Sequence, residues 1–346
     1  MFPFTIMGQV SMKAMVHKTG TEGQWLVQEE VDIAEPGEHE VLVRVGACGV
    51  CRTDLHIVEE DLPPLSDAIV PGHEIIGTVE RAGKAVSRFA AGDTAGIMWL
   101  HAACGRCDYC ISGRENLCPQ KVFTGYSVNG GYAEYALGRE EYMLPVPAGL
   151  APEKAAPLMC SGIIGYRALK LALPGPAGRL GIFGFGGSAH LTVQLAAGMG
   201  MDVCVVSRSE EHLKLASQLG ASETIQSGVT GLAGLTEKFD SAIVFAPSGN
   251  VVKQALESIR PGGKVAVPAV HLDRLPEMDY NGHLFNEKKL FSVEANTRAD
   301  AKEFLEMALR LGLRSEVEVL PFDRANTALE KLKHSAVNGA VVLRIT

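Results

Sequence analysis

Four cysteines that lie close together constrain this chain more than any other feature of its sequence. They are separated by two, two and seven residues: Cys104, Cys107, Cys110 and Cys118. Thiolates at two-residue gaps can point into one tetrahedron at about 2.3 Å from a zinc ion. Because the protein would then supply all four ligands, no position remains for water, and we predict a structural zinc site. The alternatives are unrelated buried cysteines or disulfides.

The composition of the chain limits its partners and its compartment. With 346 residues, of which 47% are hydrophobic, the chain suits two domains of moderate size with an ample core. The net charge is −8 and no stretch gathers Lys and Arg, so we expect no nucleic-acid partner. No apolar run reaches the ~18 residues needed to span a bilayer, and the opening residues lack a basic signal segment. We therefore expect a cytoplasmic protein without a membrane partner, in which cysteines bind metal.

The two halves of the chain have different patterns. From residue 13 to about 147, short strands alternate with glycine, proline and polar turns, which is typical of a β-rich, barrel-like domain. From Gly178 onward strands alternate with helices, which predicts a parallel sheet covered by helices. The clearest elements are strands at 12–17, 41–45, 75–81, 180–183, 203–206, 240–245 and 264–270, and helices at 189–199, 210–219 and 251–258.

The last part of the chain is too short to form a domain of its own. It offers helices at 299–311 and 324–333 and a strand at 340–345, and we expect it to fold back onto the first half. Residues 1–11 precede the first strand as an extension. The prediction is an α/β protein with a catalytic domain, 1–161 plus 295–346, and a nucleotide-binding domain, 162–294.

Three separate segments carry residues that could form a second metal site. Cys51 follows a strand, His73 precedes Glu74 in a later segment, and Cys160 lies where the β half gives way to the α/β half. Two thiolates and one imidazole leave the fourth position of a zinc ion open, so that it can hold an alcohol and lower its pKa. Each residue also has an ordinary interpretation, as a packed cysteine or a hydrogen-bonded loop histidine, and spacing alone does not unite them.

The motifs in this order resemble the zinc-containing alcohol dehydrogenases of the medium-chain dehydrogenase/reductase superfamily, most nearly the bacterial propanol-preferring type. The resemblance runs from about Lys13 to Thr346. It rests on the four-cysteine segment, on Cys160, and on the motifs Gly-Val-Cys51-Arg-Thr-Asp-Leu-His56, Pro-Gly-His73-Glu74 and Gly130-Gly-Tyr-Ala-Glu-Tyr135. It implies a GroES-like β-rich catalytic domain and a Rossmann-type domain with a doubly wound parallel sheet.

The family pattern assigns the metal ligands. It implies that Cys51, His73 and Cys160 hold a catalytic zinc, that Glu74 coordinates it transiently, and that Asp54 orients His73. With the four-cysteine site, this gives two zinc ions per chain. Cys160 distinguishes the chain from the polyol dehydrogenases, which typically have glutamate there. Two further cysteines match no ligand position and are expected to be packing residues: Cys48 and Cys204.

The resemblance also implies a path for the proton. The hydroxyl of Thr53 reaches the substrate oxygen and passes its proton through cofactor hydroxyls to His56, while hydride moves to the nicotinamide. Without the resemblance, these two would be a capping threonine and a solvated histidine. Trp99 resembles the bulky ring that narrows the pocket in members favouring short primary alcohols, although a core tryptophan is the alternative.

A glycine-rich turn between a strand and a helix predicts the dinucleotide site. Glycines there allow a tight turn and a close approach of the pyrophosphate to the helix N-terminus. Alanine in place of the third glycine is a change that the motif tolerates. The turn comprises Gly184, Gly186, Gly187, Ser188 and Ala189.

Three positions depart from the family pattern. Ser207 and Arg208 end the second strand where NAD enzymes usually have a carboxylate, so we predict a preference for NADP over NAD. Ile164 stands where many members have a threonine beneath the nicotinamide, and Ala340 where many have an arginine that contacts the pyrophosphate.

The sequence thus predicts a zinc-dependent alcohol dehydrogenase that interconverts primary alcohols, short aliphatic or aromatic, and aldehydes. One alternative is an aldehyde reductase of the same superfamily that uses NADPH, and another is a non-catalytic zinc-binding structural protein. We expect a homodimer or homotetramer.

Overall fold

The structure of the chain, a computed structural model, describes residues 11–20, 23–173, 178–228, 232, 235 and 237–346. The predicted N-terminal extension lies outside this part except for Ser11, which begins the first strand. None of the described helices is long and apolar enough to cross a membrane.

The first half of the chain is rich in short strands, as its pattern of turns predicts. Its strands are β1 Ser11–Lys18, β2 Val27–Asp32, β3 Glu40–Val50, β4 Ala68–Ile69, β5 Glu74–Ala82, β6 Thr94–Ile97, β7 Leu100–Ala102, β8 Val122–Phe123, β9 Tyr135–Arg139 and β10 Met143–Pro145. Its helices are α1 Arg52–Val58, α2 Asp108–Ile111 and α3 Pro152–Ala155, with 3₁₀ turns at Glu115–Leu117, Glu140–Tyr142 and Ala156–Met159.

The second half alternates strands and helices. Its strands are β11 Arg179–Phe183, β12 Asp202–Ser207, β13 Glu223–Gln226, β14 Phe239–Val244, β15 Ile259–Val267, β16 Lys289–Ser292, β17 Val317–Pro321 and β18 Ala340–Arg344. Its helices are α4 Ser161–Ala172, α5 Gly187–Gly198, α6 Glu210–Gln218, α7 Gly249–Ser258, α8 Tyr280–His283, α9 Arg298–Leu311 and α10 Ala325–Lys333, with a 3₁₀ turn at Phe322–Arg324.

The strand β3 organises the β-rich half. It pairs antiparallel with β5, β9 and β18, and Val41, Val43 and Val45 are fully buried on one side of it. Valine favours a strand, because its branched side chain packs well on a pleated sheet. Because Gly49 of β3 faces Glu74 of β5, the end of β3 meets the start of β5. The residues just beyond these two ends are therefore neighbours in space.

The α/β half contains a parallel sheet with the order β13-β12-β11-β14-β15-β16. The order reverses at β11, whose neighbours are β12 on one side and β14 on the other. In such sheets ligands bind in the crevice beyond the carboxyl end of the strand where the order reverses. The structure thus confirms an α/β protein with a doubly wound parallel sheet, and its crevice lies beyond Phe183.

The last part of the chain does not return to the first half as one piece. The strand β18 pairs with β3, and β17 pairs with β18, as expected of a returning tail. The helix α9, by contrast, packs against α4 and α5. Its Phe304 ring fills the space over Gly162, where an added Cβ would lie 2.2 Å from a ring carbon. The amphipathic face of α9 therefore finds its partner in the α/β half, and the predicted domain bounds stay a prediction.

This packing gives a test of the fold. Phe304 is 1% exposed, so Phe304→Ala should lower the free energy of unfolding by about 3–5 kcal/mol, through lost burial and the cavity left behind. Leu309 lies on the same helix with 45% exposure, and Leu309→Ala should change it by only ~0.5 kcal/mol. Urea denaturation of the zinc-loaded proteins measures both. Equal effects of the two changes would contradict the packing of α9.

Candidate active site

The ends of β3 and β5 bring two predicted metal ligands together. Cys51 follows β3 directly and is the residue before α1, whereas His73 immediately precedes β5. Cys160 joins them from the junction before α4. One potential ligand atom of each residue lies within 4.8 Å of the others. The structure therefore assembles three residues that the sequence holds far apart.

A buried carboxylate fixes this group. Asp54 is completely buried, and its Oδ1 lies 3.0 Å from Nδ1 of His73. The backbone N–H groups of Cys51 and Gly72 donate to Asp54 at 2.9 and 3.1 Å, and the Tyr132 hydroxyl donates at 3.1 Å. Orientation of a metal-bound histidine by a carboxylate on its other nitrogen is a recurrent feature of zinc sites. Asp54 thereby orients the imidazole and the start of α1 together.

The outward nitrogen of His73 has no partner in the described structure. Its Nε2 is buried without a hydrogen bond. A buried ring nitrogen without a partner is costly, and a metal ion that accepts its lone pair removes the cost. The two thiols and this nitrogen form the S₂N donor set that zinc takes in catalytic sites. The residues present therefore fit a zinc ion with an open position.

Electrostatics within the group favour a thiolate. A hydrogen bond from Cys160, followed by contact with His73, holds the pKa of Cys51 well below its usual range despite burial. The same contact with Cys51, together with burial, raises the pKa of Cys160. Burial opposes protonation of His73, but Asp54 outweighs it and raises the pKa of the imidazole.

Glu74 lies beside this group rather than in it. Its Oε1 accepts hydrogen bonds from the backbone N–H and the hydroxyl of Ser161, at 3.1 and 2.8 Å. Burial, and then the charge of Cys51, raise the pKa of Glu74 to about 8. Gly49 leaves room for this carboxyl, since an added Cβ there would lie 1.9 Å from Oε2. Ser161 is a partner that the sequence analysis missed, although it adjoins Cys160.

Thr53 and His56 lie on one face of α1, where residues three apart are neighbours. Thr53 Oγ1 is 3.7 Å from Sγ of Cys51, and both side chains line a cleft of about 1270 Å³. His56 Nδ1 lies 2.8 Å from Asp61 Oδ2, which sequence reasoning did not identify. The His56 ring also lies near the His271 ring, with ring centroids 5.0 Å apart.

Aromatic rings form one wall of the cleft. Trp99 is half-buried and meets His73 edge-on, with ring centroids 4.8 Å apart. The Trp99 ring stacks on Phe123 at 4.5 Å and extends toward Tyr126 at 6.2 Å. Trp99 is thus a cleft residue rather than a core tryptophan.

The four-cysteine segment folds around a common point. The Sγ atoms of Cys104 and Cys107 lie 3.9 and 3.6 Å from that of Cys110, close to the roughly 3.8 Å between sulfurs of a tetrahedral zinc site. Cys118 completes the group, within 4.8 Å of the others. Hydrogen bonds from the backbone N–H groups of Arg106 and Cys107 lower the pKa of Cys104 to about 6.

The remaining cysteines have no part in either group. Cys48 is buried and its thiol donates to the carbonyl of Gly49, while Cys204 is buried in β12. All eight cysteines lie in the described residues, and none forms a disulfide.

The other wall of the cleft belongs to the α/β half. The glycine-rich turn joins β11 to α5, and five of its residues line the cleft: Gly184, Gly186, Gly187, Ser188 and Ala189. Gly184 has φ +88°, and an added Cβ would lie 2.8 Å from the Ala246 backbone nitrogen. Only glycine suits that position. Ile164 and Ala340, which depart from the family pattern, also line the cleft.

The end of β12 forms the far side of this crevice. Ser207 is buried, and its hydroxyl accepts a hydrogen bond from Ser209 N–H at 3.4 Å. Arg208 is exposed, and within the described residues its guanidinium pairs with neither Glu210 nor Glu211. The guanidinium is therefore available to a ligand at the cleft.

Comparison with known proteins agrees with the two-part fold of the chain. The family model of the alcohol dehydrogenase GroES-like domain matches residues 37–148, and that of the zinc-binding dehydrogenases matches residues 173–310. A probable alcohol dehydrogenase of Mycobacterium tuberculosis is 43% identical over 319 residues, which cover 90% of this chain and 91% of the relative.

Solved structures share the whole fold. A cinnamyl alcohol dehydrogenase of Sorghum bicolor superposes with a TM-score of 0.88 at 27% identity, covering 97% of this chain and 98% of the other. An acetophenone reductase of Geotrichum candidum, solved in complex with NAD, gives a TM-score of 0.87 at 28% identity and covers 97% of each chain. These matches confirm the predicted pairing of a GroES-like domain with a Rossmann-type domain.

Metal analysis tests the two cysteine sites. Purified protein should contain about two zinc ions per chain, one in each site. Cys104→Ser should lose one ion and lower the melting temperature, because four thiolates tie that segment together. Cys51→Ser should abolish turnover and leave the fold largely intact.

Cys204→Ser is the matched control, since it changes a buried cysteine outside both groups, and it should retain both ions. One zinc ion per chain, with Cys51→Ser still active, would contradict the two-site arrangement.

Proposed function

Because this chain belongs to the zinc-dependent alcohol dehydrogenases of the medium-chain dehydrogenase/reductase superfamily, we propose that it interconverts small primary alcohols and aldehydes with a nicotinamide cofactor. The observation that carries the proposal is the unpartnered Nε2 of His73 beside the thiols of Cys51 and Cys160. This donor set lies at a cleft whose opposite wall is the glycine-rich turn. A metal and a dinucleotide bound there would face each other across the substrate.

The residues around the donor set support separate roles in metal binding and in proton transfer. Cys51, His73 and Cys160 would hold a zinc ion, which would supply the Lewis acidity that lowers the pKa of a bound alcohol. The hydroxyl of Thr53 lies near the sulfur of Cys51, so it would also lie near an alcohol bound at the same metal. It would accept the alcohol proton and pass on its own. His56 lies one turn further along α1 and takes the proton at the end of the relay. Asp61 holds the His56 ring at Nδ1.

The aromatic wall supports the choice of substrate. Trp99 contacts the His73 ring edge-on, so a bulky group on the carbinol carbon would contact the indole ring. Primary alcohols carry only one substituent there, and the stacked rings of Trp99, Phe123 and Tyr126 offer that substituent an apolar surface. We therefore include aliphatic and aromatic primary alcohols.

The end of β12 supports NADP as the preferred cofactor. A carboxylate at this position would accept hydrogen bonds from both ribose hydroxyls and repel a 2′-phosphate. Ser207 is neutral, and the guanidinium of Arg208 is exposed beside it without an ion pair in the described structure. A guanidinium can bind a phosphate through two parallel hydrogen bonds.

Self-association is also part of the proposal. The strand β16 is at the edge of the parallel sheet, with β15 on one side. Unpaired strand edges and exposed apolar side chains mark surfaces that other chains cover. Leu275, Tyr280 and Phe285, in the segment before β16, are all exposed. We therefore propose a homodimer or a homotetramer built from it.

Substitution of Thr53 tests the proton relay. Thr53→Ala should lower kcat by about 10²–10⁴-fold, the usual contribution of a positioned proton-transfer group. Thr53→Ser keeps the hydroxyl and should retain most of the activity. His56→Gln should lower kcat less than Thr53→Ala does, because water can replace His56 as the last proton acceptor. The loss should appear chiefly below neutral pH, where external base is scarce.

Steady-state kinetics across pH distinguishes these roles. Turnover of Thr53→Ala close to that of the wild type would contradict the relay, and identical pH profiles of wild type and His56→Gln would remove His56 from it.

Cofactor preference tests Arg208. A charged hydrogen-bonded contact of ~1.5–3 kcal/mol corresponds to roughly a ten- to hundredfold preference for NADP in kcat/KM. Arg208→Ala should lose that preference, because it should lower kcat/KM with NADP and leave kcat/KM with NAD unchanged. Arg310→Ala removes an exposed arginine from α9, away from the cleft, and should retain it. A wild-type preference for NAD that Arg208→Ala leaves unchanged would contradict the proposal.

A further inference from the structure

A third group of metal-ligating side chains lies at the mouth of the cleft, apart from both cysteine sites. It comprises His56 on α1, Asp61 shortly after that helix, and His271 in the segment after β15. One ligand atom of each lies within 4.8 Å of the others. Two imidazoles and a carboxylate form a donor set that suits zinc and neighbouring divalent transition metals.

The distances within the group are close to those between the ligands of a bound metal ion. Nitrogen and oxygen ligands at about 2.0–2.2 Å from zinc lie roughly 3.3 Å apart in a tetrahedral site. His56 Nδ1 and Asp61 Oδ2 are already 2.8 Å apart. The His271 ring is exposed and tilted by 33° from that of His56, so it can turn toward the pair without disturbing the core.

Neighbouring charges leave the carboxylate of Asp61 available. Lys333 is the nearby cation, but its ammonium is 2.7 Å from Glu59. Glu60, between these acidic residues, lies 3.7 Å from His17 Nε2. Among the described residues, Asp61 forms its ion pair with His56 and with no Lys or Arg.

His56 and His271 line the cleft from its two walls, and Asp61 lies against His56. His56 and Asp61 belong to the β-rich half, whereas His271 follows β15 of the parallel sheet. An ion on all three would hold the two walls together. Because the ion would bind Nδ1, it would withdraw electron density from the His56 ring and make the other nitrogen, Nε2, a poorer proton acceptor.

We propose that His56, Asp61 and His271 form a third divalent-cation site at the mouth of the cleft, and that zinc bound there inhibits turnover. The inhibition rests on the proposed role of His56, but the binding does not. Water takes the fourth position of the ion, since the described protein offers three ligands.

Equilibrium dialysis of the zinc-loaded protein against excess Zn²⁺ tests the site without any assay of activity. The wild type should bind one more zinc ion than the two of the cysteine sites, and a weak chelator should remove that ion first. Loss of a ligand in His271→Gln should weaken the third binding step by at least the ~10–100-fold typical of changes in the surroundings of a metal.

A matched control separates this site from random binding to surface histidines. His334 is exposed and lies 3.4 Å from Glu330, but it has no third ligand in the described structure. His334→Gln should bind the third ion as the wild type does. A wild type that binds only two ions, or a third ion that His271→Gln binds equally well, would overturn the site.

Inhibition by added Zn²⁺ supplies the second measurement. The concentration that halves turnover should rise in His271→Gln by the same factor as the dissociation constant of the third ion, each protein being compared with its own rate without added zinc. Binding without inhibition would overturn the inhibitory role. A protein that never turns over an alcohol would instead refute the proposed function, while the dialysis result would still decide the site.

Discussion

The active site depends on the buried carboxylate of Asp54. A carboxylate without solvent exposure is costly unless donors surround it. Here the donors are two backbone N–H groups, one phenol and one imidazole, each within 3.1 Å. These same bonds fix the start of α1, the loop before His73, and the tautomer that leaves Nε2 of His73 for a metal. The carboxylate of Asp54 therefore both stabilises this loop region and sets the direction in which Nε2 of His73 points.

The cleft is useful because its two walls come from different parts of the chain. One wall carries the proposed metal ligands and Thr53, and the other carries the glycine-rich turn and the end of β12. The strand β18 returns to β3 while α9 stays with α4 and α5, so the last part of the chain contacts both sides. This arrangement supports a reaction in which a metal and a dinucleotide approach one substrate from opposite directions.

Much of this could be predicted from the sequence, for physical reasons that differ between regions. The four cysteines are close in the chain, so their spacing alone predicted a common site. Strands β11 and β12 are almost entirely buried and apolar, and their pattern located the glycine-rich turn. Strands β13 and β16 were missed because they are short edge strands without a fully buried residue.

Local sequence patterns could not predict that Cys51, His73 and Cys160 come together. Cys51 and His73 meet only because Gly49 pairs with Glu74, and a pairing register between distant strands leaves no mark on either segment. The family resemblance supplied that grouping instead. No spacing or composition signalled the contact of Glu74 with Ser161, the approach of His271 to His56, or the packing of α9, since each depends on contacts between segments that are distant in the sequence.

The proposed reaction requires that Cys51, His73 and Cys160 hold a zinc ion with one open position. A crystal structure with anomalous data at the zinc absorption edge measures this directly. We expect an ion about 2.3 Å from both sulfurs and about 2.0–2.1 Å from His73 Nε2, with water or an alcohol as the fourth ligand. A catalytic position without zinc, or a zinc ion whose fourth ligand is Glu74 with alcohol and cofactor bound, would contradict it.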